Sequence, residues 1–238
     1  EGLIVREQVI SASKDREDTR SDAPIHVACA LDDRMALPGL VLASSIASIA
    51  KTGRPVVFHM LHANIRTNLS RVLSKLEHAN FKYVLHDVGE AFSHLRGHGS
   101  YPAAAYYRLC LPTVLPELSK IIYLDTDTIV LRDMGELYDL RLGEQAFAAM
   151  PDYVLFYIIR AKTVRSDGGR KTVETYLREI LGRDYNRPRD YLNSGVMLIN
   201  LDYWRKHDIS ERCVRFIEQF ARLQWPDQDA LNATLQGR

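Results

Sequence analysis

The sequence predicts an α/β fold, one sheet wound on both faces by helices, and three observations lead there. Its 238 residues, 46% hydrophobic and 26% charged, suffice for one sizeable core and do not have the composition of a disordered or fibrous chain. From Ile25 onward, short apolar runs of strand length alternate with helix-length stretches. That βαβ rhythm belongs to a mainly parallel sheet covered on both sides.

Each element can be justified in order. Residues 11–24, SASKDREDTRSDAP, lack large apolar side chains, so residues 1–24 read as a flexible lead-in and 25–238 as the folded domain. IHVACAL (25–31) reads as a strand, with Asp32 and Asp33 behind it and a small-residue helix from Pro38 to Ala50, proline in its first turn. PVVFHML (55–61) is a second strand, Leu69–Ala79 a helix and FKYVLHDV (81–88) a third strand. Ala103–Leu115 is expected to be helical. KIIYLDTDTIVL (120–131) is the strongest strand signal, its centre interrupted by two aspartates. Further strands are expected at Ala146–Met150 and Val196–Asn200. Asp208–Leu223 carries Ile209, Cys213, Phe216, Ile217 and Phe220 at helical spacing behind a cap in the Asp208 and Ser210 region, and ALNATLQ (230–236) is a further helical segment.

Composition excludes several function classes. Lys and Arg total 31 against 30 acids, so the formal net charge of +1 directs no field toward nucleic acid. Cys29, Cys110 and Cys213 are too far apart for CxxC pairs and form no even-numbered disulfide framework, which fits a reducing compartment. Pro38–Ala50, the longest apolar run, is too short and serine-rich to span a bilayer. The expected location is the cytoplasm, with peripheral membrane association through a further segment as an option and the Golgi lumen as the eukaryotic counterpart. Because the chain opens on Glu1, a targeting segment can precede it. GxGxxG, GxSxG and the P-loop pattern are absent, which disfavours dinucleotide enzymes, α/β-hydrolases and P-loop enzymes. His94 and His98 stand at i, i+4, yet Gly97 and Gly99 oppose a helix and no HExxH is present.

The residues that can carry chemistry are mostly acids. Asp125 and Asp127 flank Thr126 at the end of an apolar strand, where period two sets both carboxylates on one side. Ligands of open α/β sheets bind beyond the carboxyl ends of the strands, and paired carboxylates there suit a hard divalent cation holding a diphosphate. The bland alternative is a turn whose aspartates cap backbone N–H groups; against it stands charge placed between two apolar runs. Asp32 and Asp33 can accept from a base or ribose, or cap the helix behind them. Asp227 and Asp229 bracket Gln228 before a helical segment, as helix-start acids or as a polar trio aimed into a cleft. Asn193-Ser194-Gly195 is a small-residue turn that can bring backbone close to a ligand, or a plain turn. Arg108 sits among apolar residues and needs a partner, a structural carboxylate or a sugar or phosphate. RAKTVRSDGGRK (160–171) is a solvated cationic loop or, with Gly168 and Gly169, a lid over an anionic substrate.

Four segments in this order resemble the retaining glycosyltransferases of family 8, the group of glycogenin and the bacterial lipopolysaccharide galactosyl- and glucosyltransferases. They are VACALDD (27–33), AYYRLCLP (105–112), KIIYLDTDTIVLRDMGELYDLRLG (120–143), and YLNSGVMLINLDYWRKHDI (191–209) followed by DQDALN (227–232). WRKHDI looks most like the bacterial lipopolysaccharide branch. The resemblance covers Ile25 to the C-terminus and implies a single Rossmann-like nucleotide-binding domain of the GT-A type with a mixed, mainly parallel sheet. It implies a UDP-sugar donor, UDP-glucose or UDP-galactose, with Mn²⁺ or Mg²⁺, and a glycan or glycolipid acceptor. By motif position, Asp125 and Asp127 would ligate the metal. Ala30, Leu31 and Asp32, with Arg34 and Thr126, would line the nucleotide site. Arg108, Asp152, Asn193 and Asp227 would contact the donor sugar, with Gln228 beside the anomeric carbon.

Two departures accompany the resemblance. Arg34 and Met35 stand where the family often has an aromatic residue for uracil. The family's third metal ligand, a histidine in an HxxGxxKPW-like segment, would lie beyond Arg238, so the chain is expected to lack that segment. Two other classes compete with a hexosyltransferase. A sugar nucleotidyltransferase would carry a glycine-rich phosphate loop after its first strand, and ALDDRM has none. A non-catalytic UDP-sugar-binding protein would bind donor without turnover.

Overall fold

The computed structural model describes residues 4–5, 8–9, 23–95, 102–159, 162–166, 169–182, 191–220 and 222–235. Most of the expected lead-in, and with it Arg160, Gly168 and His98, lies outside them. The strands are β1 (Ile4–Val5), β2 (Gln8–Val9), β3 (Ile25–Leu31), β4 (Val56–His62), β5 (Phe81–Asp87), β6 (Lys120–Leu124), β7 (Phe147–Pro151), β8 (Thr163–Ser166), β9 (Gly169–Thr172) and β10 (Leu192–Asn200). β8 and β9 form a separate antiparallel hairpin, and the rest make one sheet in the order β2-β1-β7-β10-β6-β3-β4-β5.

β3 is parallel to both β4 and β6, and β4 to β5, while β10 is antiparallel to both β6 and β7. Strands β3 to β7 therefore share one direction, and β10 alone among the long strands is reversed. This is the mixed, mainly parallel sheet expected from the sequence, and its polarity positions the site. The ends of β3, β6 and β7 and the start of β10 fall on one sheet edge, which gathers Asp32, Asp125, Asp152 and Asn193 there.

Alternate residues of each strand feed two cores. Ala28, Ala30, Tyr106, Leu109, Tyr123, Met197 and Trp204 pack on one face; Val27, Cys29, Leu31, Leu42, Ile46, Phe58, Met60 and Ile122 pack on the other. Helix α1 (Ala36–Ala50) covers the second face, and Gly39 lets it sit close. A Cβ there would lie 3.1 Å from Leu31, 3.3 Å from Met60 and 3.7 Å from Thr126.

The other helices are α2 (Leu69–Leu73), α3 (Leu111–Val114), α4 (Gly135–Tyr138), α5 (Val173–Leu181), α6 (Leu201–Lys206), α7 (Ile209–Glu218) and α8 (Pro226–Thr234). Several expected bounds are corrected. α2 stops at Leu73 rather than Ala79, because His78 pairs back with Phe81 and turns its ring onto the Ala47 carbonyl at 2.8 Å. The expected helix over 103–115 is a 3₁₀ stretch, Ala103–Cys110, followed by α3. β6 ends at Leu124, not Leu131. Its pairing with β10 stops there, and Thr128 folds back on the Asp125 carbonyl through both its N–H and its hydroxyl. Ile129 and Leu131 are 60% and 80% exposed, so the aspartates do not lie between two buried runs. α7 begins after Asp208, which has a left-handed backbone and gives no side-chain cap.

Three histidines cross the parallel half of the sheet. His26 Nδ1 lies 3.0 Å from His59 Nε2, and His59 Nδ1 lies 2.9 Å from His86 Nε2. Three neutral imidazoles carry three N–H protons, and the two contacts use two of them. One added proton can sit on an outer nitrogen, and a second must break a contact. Burial lowers His59 to about 3, with His86 and His26 adding to the shift; burial also lowers His26 and His86. The unfolded chain thus binds protons below the ordinary histidine pKa that the folded chain refuses. Stability is expected to be full above about pH 6.5 and to fall as pH drops, by about 1.4 kcal/mol per unit from His59. Urea unfolding at pH 7.5 and 5.5 checks this, and His59→Leu should flatten the dependence.

Candidate active site

Arg108, on the 3₁₀ stretch, is 4% exposed, and its guanidinium lies 4.3 Å from the centre of the Tyr123 ring. It donates to the Ser194 carbonyl at 2.7 Å, to Asp125 Oδ1 at 2.8 Å and to the Ala105 carbonyl at 3.1 Å, and it pairs with Asp227 Oδ2 at 3.2 Å. A buried cation between two carboxylates is the arrangement that avoids an unpaired buried charge. Burial raises the Asp227 carboxyl above the usual range, with Arg108 and the Ser194 hydroxyl, at 3.1 Å, opposing the shift. Of the two kinds of partner the sequence allows for Arg108, the structure supplies the carboxylate, through Asp125 and Asp227.

Asp125 follows β6 directly, and its backbone N–H bonds the Gly195 carbonyl at 2.7 Å. A Cβ on Gly195 would come 2.8 Å from Asp125 Oδ2 and 3.0 Å from Asn193 Oδ1. The small-residue turn therefore lets β10 approach the acid closely. Asp127 is exposed, and among the described residues no hydrogen bond or ion pair involves it. Thr126, between them, is 5% exposed and faces α1. The described residues hold no group of three His, Cys, Asp or Glu that could bind a metal. Asp125 and Asp127 carry carboxylate oxygens at the sheet edge, the hard donor chemistry that suits a divalent cation.

Gln228 lies in the first turn of α8, where Pro226 stands at a position that needs no N–H. Its Oε1 accepts from the Ser194 N–H at 2.9 Å and its Nε2 donates to Asp152 Oδ2 at 3.0 Å. Asn193 Nδ2 donates to the same Asp152 oxygen at 3.2 Å, while Asn193 Oδ1 takes the Gly195 N–H at 2.8 Å. Asp152 Oδ1 accepts from the Leu155 N–H at 3.0 Å. Asp125, Arg108, Asp227, Ser194, Gln228, Asp152 and Asn193 therefore form one connected polar network. Ser194 joins its two halves, a role composition alone did not reveal; the signal was its place between Asn193 and the glycine.

The proposed nucleotide residues divide. Asp32 caps the 3₁₀ turn Asp33–Met35, accepting from the N–H groups of Arg34 at 3.0 Å and Met35 at 3.2 Å, so the capping reading holds for its Oδ1. Asp33 ties down the Arg66–Thr67 loop. Ala30 and Leu31 are buried, Leu31 completely, and its side chain packs toward α1; only its backbone borders the edge. Arg34 is exposed beside them. The described part of the cationic stretch is the β8–β9 hairpin, where Arg170 reaches Thr163 and Lys171 pairs with Glu179.

Residues 26–238 match the model described as glycosyl transferase family 8. The chain belongs to glycosyl transferase family 8. This family 8 chain is 27% identical over 230 residues to General stress protein A of Bacillus subtilis, covering 91% of the chain and 71% of that protein. Across the curated relatives compared, it spans 55% to 71% of their length. Among solved structures, the bifunctional glycosyltransferase WbbM superposes with a TM-score of 0.77 at 26% identity, over 92% of this chain and 38% of that one. The galactosyltransferase LgtC, solved with donor and acceptor sugar analogues, gives 0.69 at 27% identity over 90% and 71%. An active-site glutamine-to-glutamate mutant of LgtC has also been solved. The family is one of glycosyltransferases. No helix among the described residues is long and apolar enough to cross a membrane.

Proposed function

We propose that this family 8 chain is a metal-dependent, retaining hexosyltransferase that moves glucose or galactose from a UDP-sugar to a hydroxyl of a glycan or lipid-linked saccharide. The observation that carries the reading is the network itself. Two aspartates able to take a cation stand at one sheet edge, and one of them, Asp125, connects through Arg108 and Ser194 to Gln228 and Asp152. LgtC, a galactosyltransferase seen with donor and acceptor sugar analogues, supports the donor and acceptor classes. Its glutamine active-site mutant supports a role for Gln228.

Asp125 and Asp127 would hold Mn²⁺ or Mg²⁺, which when bound supplies charge stabilisation for a departing diphosphate without a proton transfer. Asp32, Arg34, Thr126 and the backbone of Ala30 and Leu31 would border the uridine. Arg108, Asp152, Asn193 and Asp227 would orient the hexose. Retention needs a covalent intermediate or same-face attack, and the group beside the anomeric carbon is an amide, a poor nucleophile. The acceptor hydroxyl therefore attacks on the leaving-group face and gives its proton to the departing phosphate oxygen. The Gln228 carbonyl oxygen, which accepts from the Ser194 N–H at 2.9 Å and lies 3.4 Å from the Ser194 hydroxyl, stabilises the developing oxocarbenium charge.

Calorimetric titration with UDP, with and without Mn²⁺, tests the donor site, and release of hexose from UDP-glucose or UDP-galactose tests turnover. Metal-dependent binding with turnover is expected. Binding without turnover toward any acceptor would point to the non-catalytic class. Gln228→Ala is expected to lower kcat about 100-fold, as removal of a group aimed at transition-state charge does, with donor affinity within a few-fold. An unchanged rate removes Gln228 from the mechanism.

A further inference from the structure

Arg108 divides its nitrogens among four acceptors. Nε donates to the Ala105 carbonyl at 3.1 Å and Nη2 to Asp125 Oδ1 at 2.8 Å, while Nη1 serves both the Ser194 carbonyl at 2.7 Å and Asp227 Oδ2 at 3.2 Å. The N–H groups of a guanidinium lie in its plane, so contacts of this kind hold the group by its edges. Edge contacts alone leave the plane able to tilt. What lies under it is the Tyr123 ring, whose centre is 4.3 Å from the guanidinium carbon. A guanidinium is weakly hydrated and is attracted to the negative face of an aromatic ring, the more so where water is excluded.

Tyr123 is itself fixed. It is 1% exposed and stands on β6 in register with Ala28 of β3 and Met197 of β10, both members of the same core. The period of two puts Tyr123 and Asp125 on one side of the chain, and the Asp125 N–H on the Gly195 carbonyl carries the pairing with β10 past the end of the strand. One stretch of backbone therefore brings both the ring and a carboxylate to the same cation.

We infer that Tyr123 is a positioning residue: its ring sets the plane of the Arg108 guanidinium so that one cation serves Asp125 and Asp227 at once. The two acids sit on different nitrogens, so a guanidinium that tilts off the ring keeps one of them at the expense of the other. Asp125 is an acid proposed to hold the metal and Asp227 a group proposed to orient the hexose. The ring acts on both through Arg108. That consequence rests on the proposed function, whereas the effect on Arg108 does not.

The deciding experiment compares wild type, Tyr123→Phe and Tyr123→Leu in the full chain, with two readouts. The first is the ¹⁵Nη spectrum of Arg108, assigned by its loss in Arg108→Lys. A guanidinium whose hydrogen bonds all hold shows separate Nη1 and Nη2 signals, and one that loses them turns about its Cζ–Nη bonds and shows an averaged signal. The second is calorimetric titration with UDP at a series of Mn²⁺ concentrations. Separate signals are expected in wild type and in Tyr123→Phe, which keeps the ring, and averaged ones in Tyr123→Leu. The Mn²⁺ concentration for half-maximal UDP binding should rise about tenfold in Tyr123→Leu, in the range of lost outer-shell support, and stay within about twofold in Tyr123→Phe. A merely structural role would lower the fraction of protein that binds and leave that midpoint in place. Tyr123→Met, which also removes the ring, replaces Tyr123→Leu if the latter does not fold. Separate signals or an unmoved midpoint in the folded ringless variant overturn the inference, as do averaged signals in wild type or Tyr123→Phe. Averaging confined to the ringless variant, in a protein whose wild type binds no UDP, upholds the inference for Arg108 and removes the functional reading instead.

Discussion

Asp127→Asn is expected to abolish Mn²⁺-dependent binding of UDP, weakening it about 100-fold or more, while the protein unfolds at the wild-type urea concentration. Outer-shell changes at metal sites already cost about 10- to 100-fold, and this substitution removes a charged ligand itself. The fold is spared because Asp127 is exposed and, among the described residues, bonds to nothing; surface changes of that kind stay within about 0.5 kcal/mol. Asp125→Asn should lose the same binding but also stability, because its carboxylate holds the buried Arg108. Calorimetry with and without the metal, beside urea unfolding of both variants, separates the two positions. Wild-type affinity in Asp127→Asn sinks the metal assignment.

Arg108→Met should be the most damaging single change to stability, costing about 3–5 kcal/mol at pH 7, the penalty for removing one member of a buried ion pair. The methionine fills much of the space but leaves the buried Asp227 without its cation, and Asp125 and the Ser194 carbonyl without their donors. The pH dependence gives a second check. Burial already raises the Asp227 carboxyl, and without Arg108 to oppose it the group rises further. The unfolded carboxyl then ionises at lower pH than the folded one, so the variant's deficit is largest at neutral pH. It should shrink as pH falls and Asp227 becomes neutral. Equilibrium urea unfolding at pH 7 and pH 5 measures both, and a loss below 1 kcal/mol at pH 7 would show that Arg108 is not the cation that neutralises this core.

The candidate residues were legible in the sequence because a charged group in an apolar context demands an explanation. Arg108 in YYRLCLP and the aspartates behind KIIYL stood out on that ground alone. The reason first attached to Asp125 and Asp127 was nevertheless incorrect. They do not alternate on a continuing strand; the strand stops because β10 ends its pairing at Leu124, and the following Ile129 and Leu131 face water. No local pattern reports where a partner strand ends. Asp32 shows the converse, since the capping geometry expected of an acid before a helix is present whether or not the other oxygen meets a ligand.

By itself, then, the sequence determined the strand and helix alternation, the two-faced burial of the central strands, and the identity of the acids, amides and arginine that gather at one edge. The alternation and the burial follow from side-chain hydrophobicity and period, which are local properties of the chain; Asp152 was marked only by its motif position in the family resemblance. Tertiary structure decided the rest. The reversal of β10 brought Asn193, Ser194 and Gly195 against Asp125, and the packing of α8 set Gln228 on Ser194 and Asp152 across gaps of 34 and 76 residues in sequence. It also buried Asp229 beneath Tyr176 and Tyr191, which no spacing connects to it. Hydrogen bonds between distant segments are selected by the need to satisfy every polar group that packing removes from water, and that need exists only once the core has closed.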